Sequence, residues 1–115
     1  MTSTSWTART TAAAQRDFAD IVERSGRTFG PAQARRYRVL LIDALVALQS
    51  GPRPLGSFGR DAIAPGFRVL PMSRAGRRGR HLLVYRPVGP DIIEVVRILH
   101  DRMDLARHIP PSGST

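Results

Sequence analysis

The stretch spanning residues 91–109, DIIEVVRILHDRMDLARHI, constrains the fold more than any other. Ile92, Ile93, Val95, Val96, Ile98 and Leu99 are apolar and mostly β-branched, interrupted only by Glu94 and Arg97. Branching at Cβ favours the pleated chain, and an apolar run this continuous needs cover on both sides. It predicts the central strand of a sheet. His100, Asp101, Arg102, Met103 and Asp104 follow at once, with Arg107 and His108 just behind. Titratable groups gathered where a central strand ends form either a site or a charged surface turn, and the residues alone leave both readings open.

The rest of the chain supplies the partners for that strand. Residues 5–10 read as a short first strand, with Trp6, Ala8 and Thr10 on one face by period-two alternation. Thr11 is placed to cap a helix in which Ala14, Phe18, Ile21 and Val22 form one apolar stripe, and Ser25-Gly26 is expected to end it. Pro31 after Gly30 opens a second helix that runs to about Ser50, where Gly51-Pro52 stops it. Its core stripe is Ala34, Tyr37, Leu41, Ala44, Leu45 and Leu48. Val39, Ile42 and Val46 form a second apolar line on another flank. Either that flank packs on the first helix of the same hairpin, or a partner covers it. Residues 51–65 are rich in Pro and Gly and read as a loop. Residues 66–72 and 81–86 read as two more strands, joined to each other and to the last strand by short turns, hence antiparallel. The expected fold is α+β and a single domain over residues 1–115. It has an N-terminal strand, an αα-hairpin on one face of a small antiparallel β-sheet, and a C-terminal charged tail.

Charge narrows the partners. The 115 residues carry 18 basic and 9 acidic side chains, a formal net charge of +9, and every basic residue is arginine. GC-rich coding accounts for arginine over lysine, but not for the excess of basic over acidic groups. That excess calls for an acidic partner, either nucleic acid or an acidic protein surface. Aromatics are 6% of the chain, too few for a base-stacking platform. There is no cysteine, which excludes disulfides and thiolate metal sites. No apolar run approaches the roughly 18 residues of a membrane span. The first residues lack the basic region and apolar core of a signal peptide, so a cytoplasmic protein is expected.

Two constellations carry candidate chemistry. Arg74, Arg77, Arg78 and Arg80 crowd one turn, where guanidinium groups either clamp phosphates or acidic side chains, or simply cover a solvated tip. Arg68, Arg86, His100 and Arg102 are the second set. RNA cleavage by 2′-hydroxyl attack needs a base, an acid and cations for the phosphorane charge, and a histidine with arginines can provide them. The bland alternative is ion pairing of Arg68 and Arg86 with Glu94, Asp101 or Asp104. No Walker loop, dinucleotide-binding glycine fingerprint or His-Glu-x-x-His occurs, and His81, His100 and His108 are too scattered to argue a metal site. No cofactor is expected.

A final strand ending in Arg97-Ile98-Leu99-His100, followed by Asp101-Arg102-Met103-Asp104-Leu105-Ala106-Arg107, resembles the C-terminal end of ParE-type toxins. These belong to the RelE/ParE superfamily of bacterial toxin–antitoxin pairs. The similarity is most specific over residues 66–109 and extends back to about residue 5; Pro52 to Gly56 is similar to the family's Pro-x-x-Gly turn. The resemblance implies a toxin that inhibits DNA gyrase and a hetero-oligomer with a cognate antitoxin. Target contacts are expected from the charge clusters at Arg74, Arg77, Arg78, Arg80, His100, Arg102, Asp104 and Arg107, with a role for the C-terminal segment also implied by the resemblance and direct nucleic-acid contact open. Antitoxin contacts are expected at Arg35, Arg38, Val39, Ile42 and Val46. The alternatives are a ribosome-dependent mRNA endonuclease of the RelE type and a toxin fold that has lost its toxicity. RelE- and YoeB-like nucleases place an arginine three residues before the tyrosine of the third strand, where this chain has Leu82, and a functional tyrosine near the C-terminus, where it has none after Tyr85. Those departures argue against an enzyme.

Overall fold

A computed structural model describes residues 5–60, 65–73 and 79–102. Strand β1 (Thr7–Thr10) leads into helices α1 (Ala12–Phe29) and α2 (Pro31–Ala47), and a 3-10 turn (Leu48–Ser50) closes the hairpin. Strands β2 (Phe58–Gly59), β3 (Arg68–Pro71), β4 (His81–Pro87) and β5 (Ile92–His100) follow. They form one sheet in the order β1-β5-β4-β3-β2. The stretch read as a central strand is therefore central, flanked by β1 and β4.

Three details differ from the sequence reading. The sheet is mixed: β1 runs parallel to β5, while the other pairs are antiparallel. The two-residue β2, pairing with β3, lies inside what reads as pure loop; so short a strand leaves no period-two signal. Helix α1 passes through Gly26 and ends at Gly30, whose φ of 92° suits glycine and whose N–H bonds the carbonyl of Gly26. A Cβ at Gly26 would make only ordinary van der Waals contact, at 3.5 Å, with Ala34 on α2, so the helix passes through this glycine without a special requirement for it.

The helices cover one sheet face. Ala14, Leu41, Ala44 and Leu48 close on Leu70, Leu83, Tyr85, Ile93, Val95 and Ile98. Each fully buried residue of the Leu or Ile kind contributes about 1.5–3 kcal/mol over its exposed state. By strand alternation Phe67, Val69, Leu82, Val84, Val96 and Leu99 face the other way, and all are buried as a second cluster. Cover on both faces is what the apolar run required.

Strand β5 carries a bulge. Val84 pairs with Arg97 but Tyr85 with Val95, so Val96 is the extra residue. Side chains of α1 bind the backbone groups around it. The Thr11 hydroxyl donates to the Val96 carbonyl at 2.8 Å and accepts the Ala14 N–H as helix cap, while Asp17 accepts the Ile98 N–H at 2.9 Å. The bulge sets the register of everything beyond it.

Candidate functional site

Beyond the bulge, His81 at the start of β4 stands opposite His100 at the end of β5. Their rings meet edge to face, with centroids 5.3 Å apart. Tyr37 reaches in from α2, its hydroxyl 2.6 Å from His81 Nδ1 and its ring edge-on to the same imidazole. The Tyr37 oxygen also accepts the Arg80 N–H at 3.2 Å. These rings floor a cleft of about 410 Å³ between the helices and the strand ends, walled by Ile21, Arg24, Phe29, Leu40 and Arg80 among others. A smaller hollow adjoins it, sharing Ile21, Arg24 and both histidines and reaching Asp20, Ile98 and Arg102.

The electrostatics follow from that packing. Burial chiefly, then His100 and Arg24, push His81 down to about 4, against the opposing pull of Asp101 and Asp17. At neutral pH the ring is therefore uncharged. Tyr37 and the His81 Nδ1 share one hydrogen bond, whose direction goes with the imidazole tautomer. Burial pushes the Tyr37 phenol up, and the backbone N–H groups of Arg80 and His81 only partly oppose that. His100 Nδ1 lies 3.1 Å from both the Asp101 carboxylate and the Arg102 N–H.

The four residues read as a nuclease set are not brought together. Arg68 is opposite Tyr85, and Arg86 is five residues from His81 on the same strand, about 17 Å at 3.4 Å per residue. Both arginines have structural work. Arg68 donates to the Pro52 carbonyl at 2.8 Å and to Ser57 Oγ at 2.9 Å, beside the 2.6 Å bond from Tyr85 to the same carbonyl. This pins the loop that leaves the helical hairpin. Arg86 lies 3.4 Å from Glu94, over the Phe67 ring at 5.4 Å, while Arg9 approaches Glu94 from the other side at 3.6 Å. Only His100 and Arg102 remain near the cleft. Of the residues assigned to target contact, Arg80, His100 and Arg102 are described, and Arg80 and His100 line the cleft. Arg74, Arg77, Arg78, Asp104 and Arg107 lie outside the described residues.

The second apolar line on α2 does not pack on α1. Val39 is 61% exposed and Val46 50%, with Ile42 half-buried. A shallow depression of about 500 Å³ beside Val39 is formed by Ala32, Arg35, Arg36 and Leu40. Arg35 and Arg38 are exposed on this helix.

Tyr37 and His81 were not among the residues read as functional. Tyr37 fits a core stripe, and His81 is far from His100 in sequence. Their meeting depends on strand register, which spacing does not display.

Among the described residues no helix is long and apolar enough to cross a membrane, and no group of three or more His, Cys, Asp or Glu side chains could hold a metal ion.

The architecture defines the class: a strand, a helical hairpin and a mostly antiparallel sheet, the fold shared with a solved structure titled chromosomal ParDE TA system from P. aeruginosa. That likeness has a TM-score of 0.64 at 22% identity and covers 83% of this chain and 95% of the other. The family described as the ParE toxin of the type II toxin–antitoxin system parDE matches residues 8–105. Toxin ParE1 of Mycobacterium tuberculosis is 36% identical over 99 residues, which is 84% of this chain and 91% of the relative. Toxin ParE of Escherichia coli is 32% identical over 95 residues, 83% of this chain and 84% of the relative. The chain belongs to the ParE toxin family of type II toxin–antitoxin systems.

Proposed function

We propose that this toxin is neutralised by a cognate antitoxin whose apolar helix lies along the open flank of α2, and that the free toxin acts by binding DNA gyrase rather than by cutting RNA. One observation carries the antitoxin half: Val39 and Val46 stand exposed beside Arg35, Arg36 and Arg38. Apolar side chains aligned on the surface of a small domain mark an interface, and a helix laid in a groove is read at such spacings. The arginines steer an acidic partner.

Gyrase follows from the family resemblance. Action by binding is supported by the separation of Arg68 and Arg86 from His100 and by the partners that already occupy both arginines. We assign Arg80, His100 and Arg102 to the target-binding surface, together with the basic and tail residues Arg74, Arg77, Arg78, Asp104 and Arg107. Two assays separate the halves. Co-expression with the small acidic protein encoded beside the toxin gene is expected to yield a complex on purification, and its absence sinks the antitoxin reading. Purified toxin is expected to block gyrase supercoiling, and a stop codon at Asp101 to remove that block. Unimpeded supercoiling with excess full-length toxin sinks the gyrase reading.

A further inference from the structure

The cleft floored by Tyr37, His81 and His100 brings Arg24, which the reading above gives no role, together with Arg80 and Arg102, which it assigns to the target. Arg24 comes from α1, Arg80 from the approach to β4, and Arg102 from the exit of β5. All three line the cleft or the hollow joined to it. None makes a side-chain hydrogen bond or ion pair among the described residues; the contacts of Arg80 and Arg102 are made by their backbone N–H groups. The walls between them are apolar, with Ile21, Leu40 and Phe29, the last 72% exposed at the rim. We propose that this cleft receives a carboxylate-bearing side chain with an apolar neighbour from the antitoxin, a second anchor distinct from the α2 flank. The proposal rests on the antitoxin reading above and specifies its chemistry.

Charge and size favour an acidic peptide over nucleic acid. Guanidiniums without a side-chain partner among the described residues, set between apolar walls, match a carboxylate carried beside an apolar side chain, because each group then finds its complement. Asp20 in the adjoining hollow and Asp101 next to His100 repel any anion, and a phosphodiester strand, charged at every nucleotide, more than a single carboxylate. The cleft volume of about 410 Å³ suits one or two side chains, and it has an indirect link to α2's open flank, since Leu40 borders both depressions.

His81 reports on occupancy. The groups facing it are Asp17 and Arg24 from α1, Tyr37 from α2, Arg80 from the strand approach, and His100, Asp101 and Arg102 from β5 and its exit. Burial, His100 and Arg24 hold it uncharged. A carboxylate seated among the arginines opposes their cationic contribution at His81, so the imidazole gains affinity for a proton on binding.

The test uses the full-length toxin and the product of the reading frame beside its gene, expected to be a small acidic protein. The double variant Arg24→Glu plus Arg80→Glu is expected to weaken their affinity by about 30-fold or more, the scale of losing a desolvated charge contact, with the melting temperature nearly unchanged. If that variant does not fold, Arg24→Gln plus Arg80→Gln is expected to weaken binding in the same direction. The His81 ring signal is expected to titrate at a higher pH in the complex than its value of about 4 in the free toxin. An affinity within about threefold of wild type for a folded double variant overturns the proposal, since a charge contact in the cleft must cost more. So does a His81 midpoint that stays put in the complex. A short DNA duplex whose binding is lost in the double variant, while antitoxin binding persists, overturns it in favour of nucleic acid. If wild-type toxin forms no complex at all, the antitoxin reading itself fails; if it forms one that Val39→Asp plus Val46→Asp weakens but the arginine variants do not, only the cleft proposal fails.

Discussion

Asp17 on α1 holds Arg97 of β5 through two charge-assisted hydrogen bonds, 2.7 Å to Nε and 2.9 Å to Nη2, across 80 residues of sequence. The same carboxylate accepts the Ile98 N–H just past the bulge. One side chain thus ties the first helix to the central strand at the point where its register shifts. Both partners are largely withdrawn from solvent, with side-chain exposures of 15% and 26%. Asp17→Ala removes all three bonds and is expected to cost about 2–4 kcal/mol, below the range for a fully buried pair because some water remains. Urea unfolding measures it; a loss under 1 kcal/mol, about the value of an exposed pair, would mean the contact is incidental.

His81 makes stability depend on pH in a defined direction. Its folded value of about 4 lies below the ordinary 6.5, so between these limits the unfolded chain binds more protons than the folded one. This contribution is complete above pH 6.5 and is lost as pH falls towards 4. His81→Gln, which keeps an acceptor for Tyr37, is expected to flatten the stability profile across that window. A profile as steep in the variant as in the wild type assigns the slope to other groups.

Gly79 stands where the chain turns into β4, at a φ of 149°. A Cβ there would sit 2.9 Å from Cβ of Met72, which is buried, and 3.4 Å from the Tyr37 hydroxyl. The Met72 Cβ, fixed to its backbone, cannot yield without moving the chain just past the end of β3. Gly79→Ala is expected to cost about 1–3 kcal/mol, the scale of overpacking. A melting temperature equal to wild type would show that the segment before β4 shifts freely.

The exposed flank of α2 gives a cleaner separation of binding from folding. Val39→Asp plus Val46→Asp alters two side chains that are at least half in water. Surface changes of this kind usually stay within about 0.5 kcal/mol of wild type. Antitoxin affinity is expected to fall by about 30-fold or more, since a carboxylate would meet an apolar helix and be desolvated. Unchanged affinity in a folded variant rules the flank out as the main contact.

Purified toxin is expected to leave mRNA intact on translating ribosomes. Leu82 occupies the position where RelE-like nucleases carry an arginine, and its side chain is buried in the second cluster. Loss of one transition-state donor typically costs about 10²–10³ in rate, and the C-terminal tyrosine is also missing. Codon-specific cleavage products in reconstituted translation would overturn this.

Much of the fold is legible in the order of apolar residues. The run from Ile92 to Leu99 demands cover on both faces, and the two buried clusters provide it. Thr11 and Pro31 mark helix starts because a cap oxygen and a preset φ act within a few residues. Val39 and Val46 are visible as a surplus stripe for the same local reason; whether they are covered is not, because that depends on where α1 lies. Ser25-Gly26 does not end α1 because one glycine costs a helix only about 1 kcal/mol, less than tertiary packing can supply.

The cleft belongs wholly to tertiary structure. Counted back from the pairing of Pro87 with Ile93, an unbroken register would set His81 opposite Leu99. The extra residue at Val96 advances β5 by one and puts His100 there instead. That displacement exchanges a core leucine for a second imidazole and leaves the ring pair under Tyr37. Composition supplied three histidines and many arginines; pairing His81 with His100 required a bulge held by Thr11 and Asp17, side chains more than 80 positions away. Local preferences act over a few residues and so can be read from the chain, whereas strand register is decided by contacts between segments that meet only when the chain is folded.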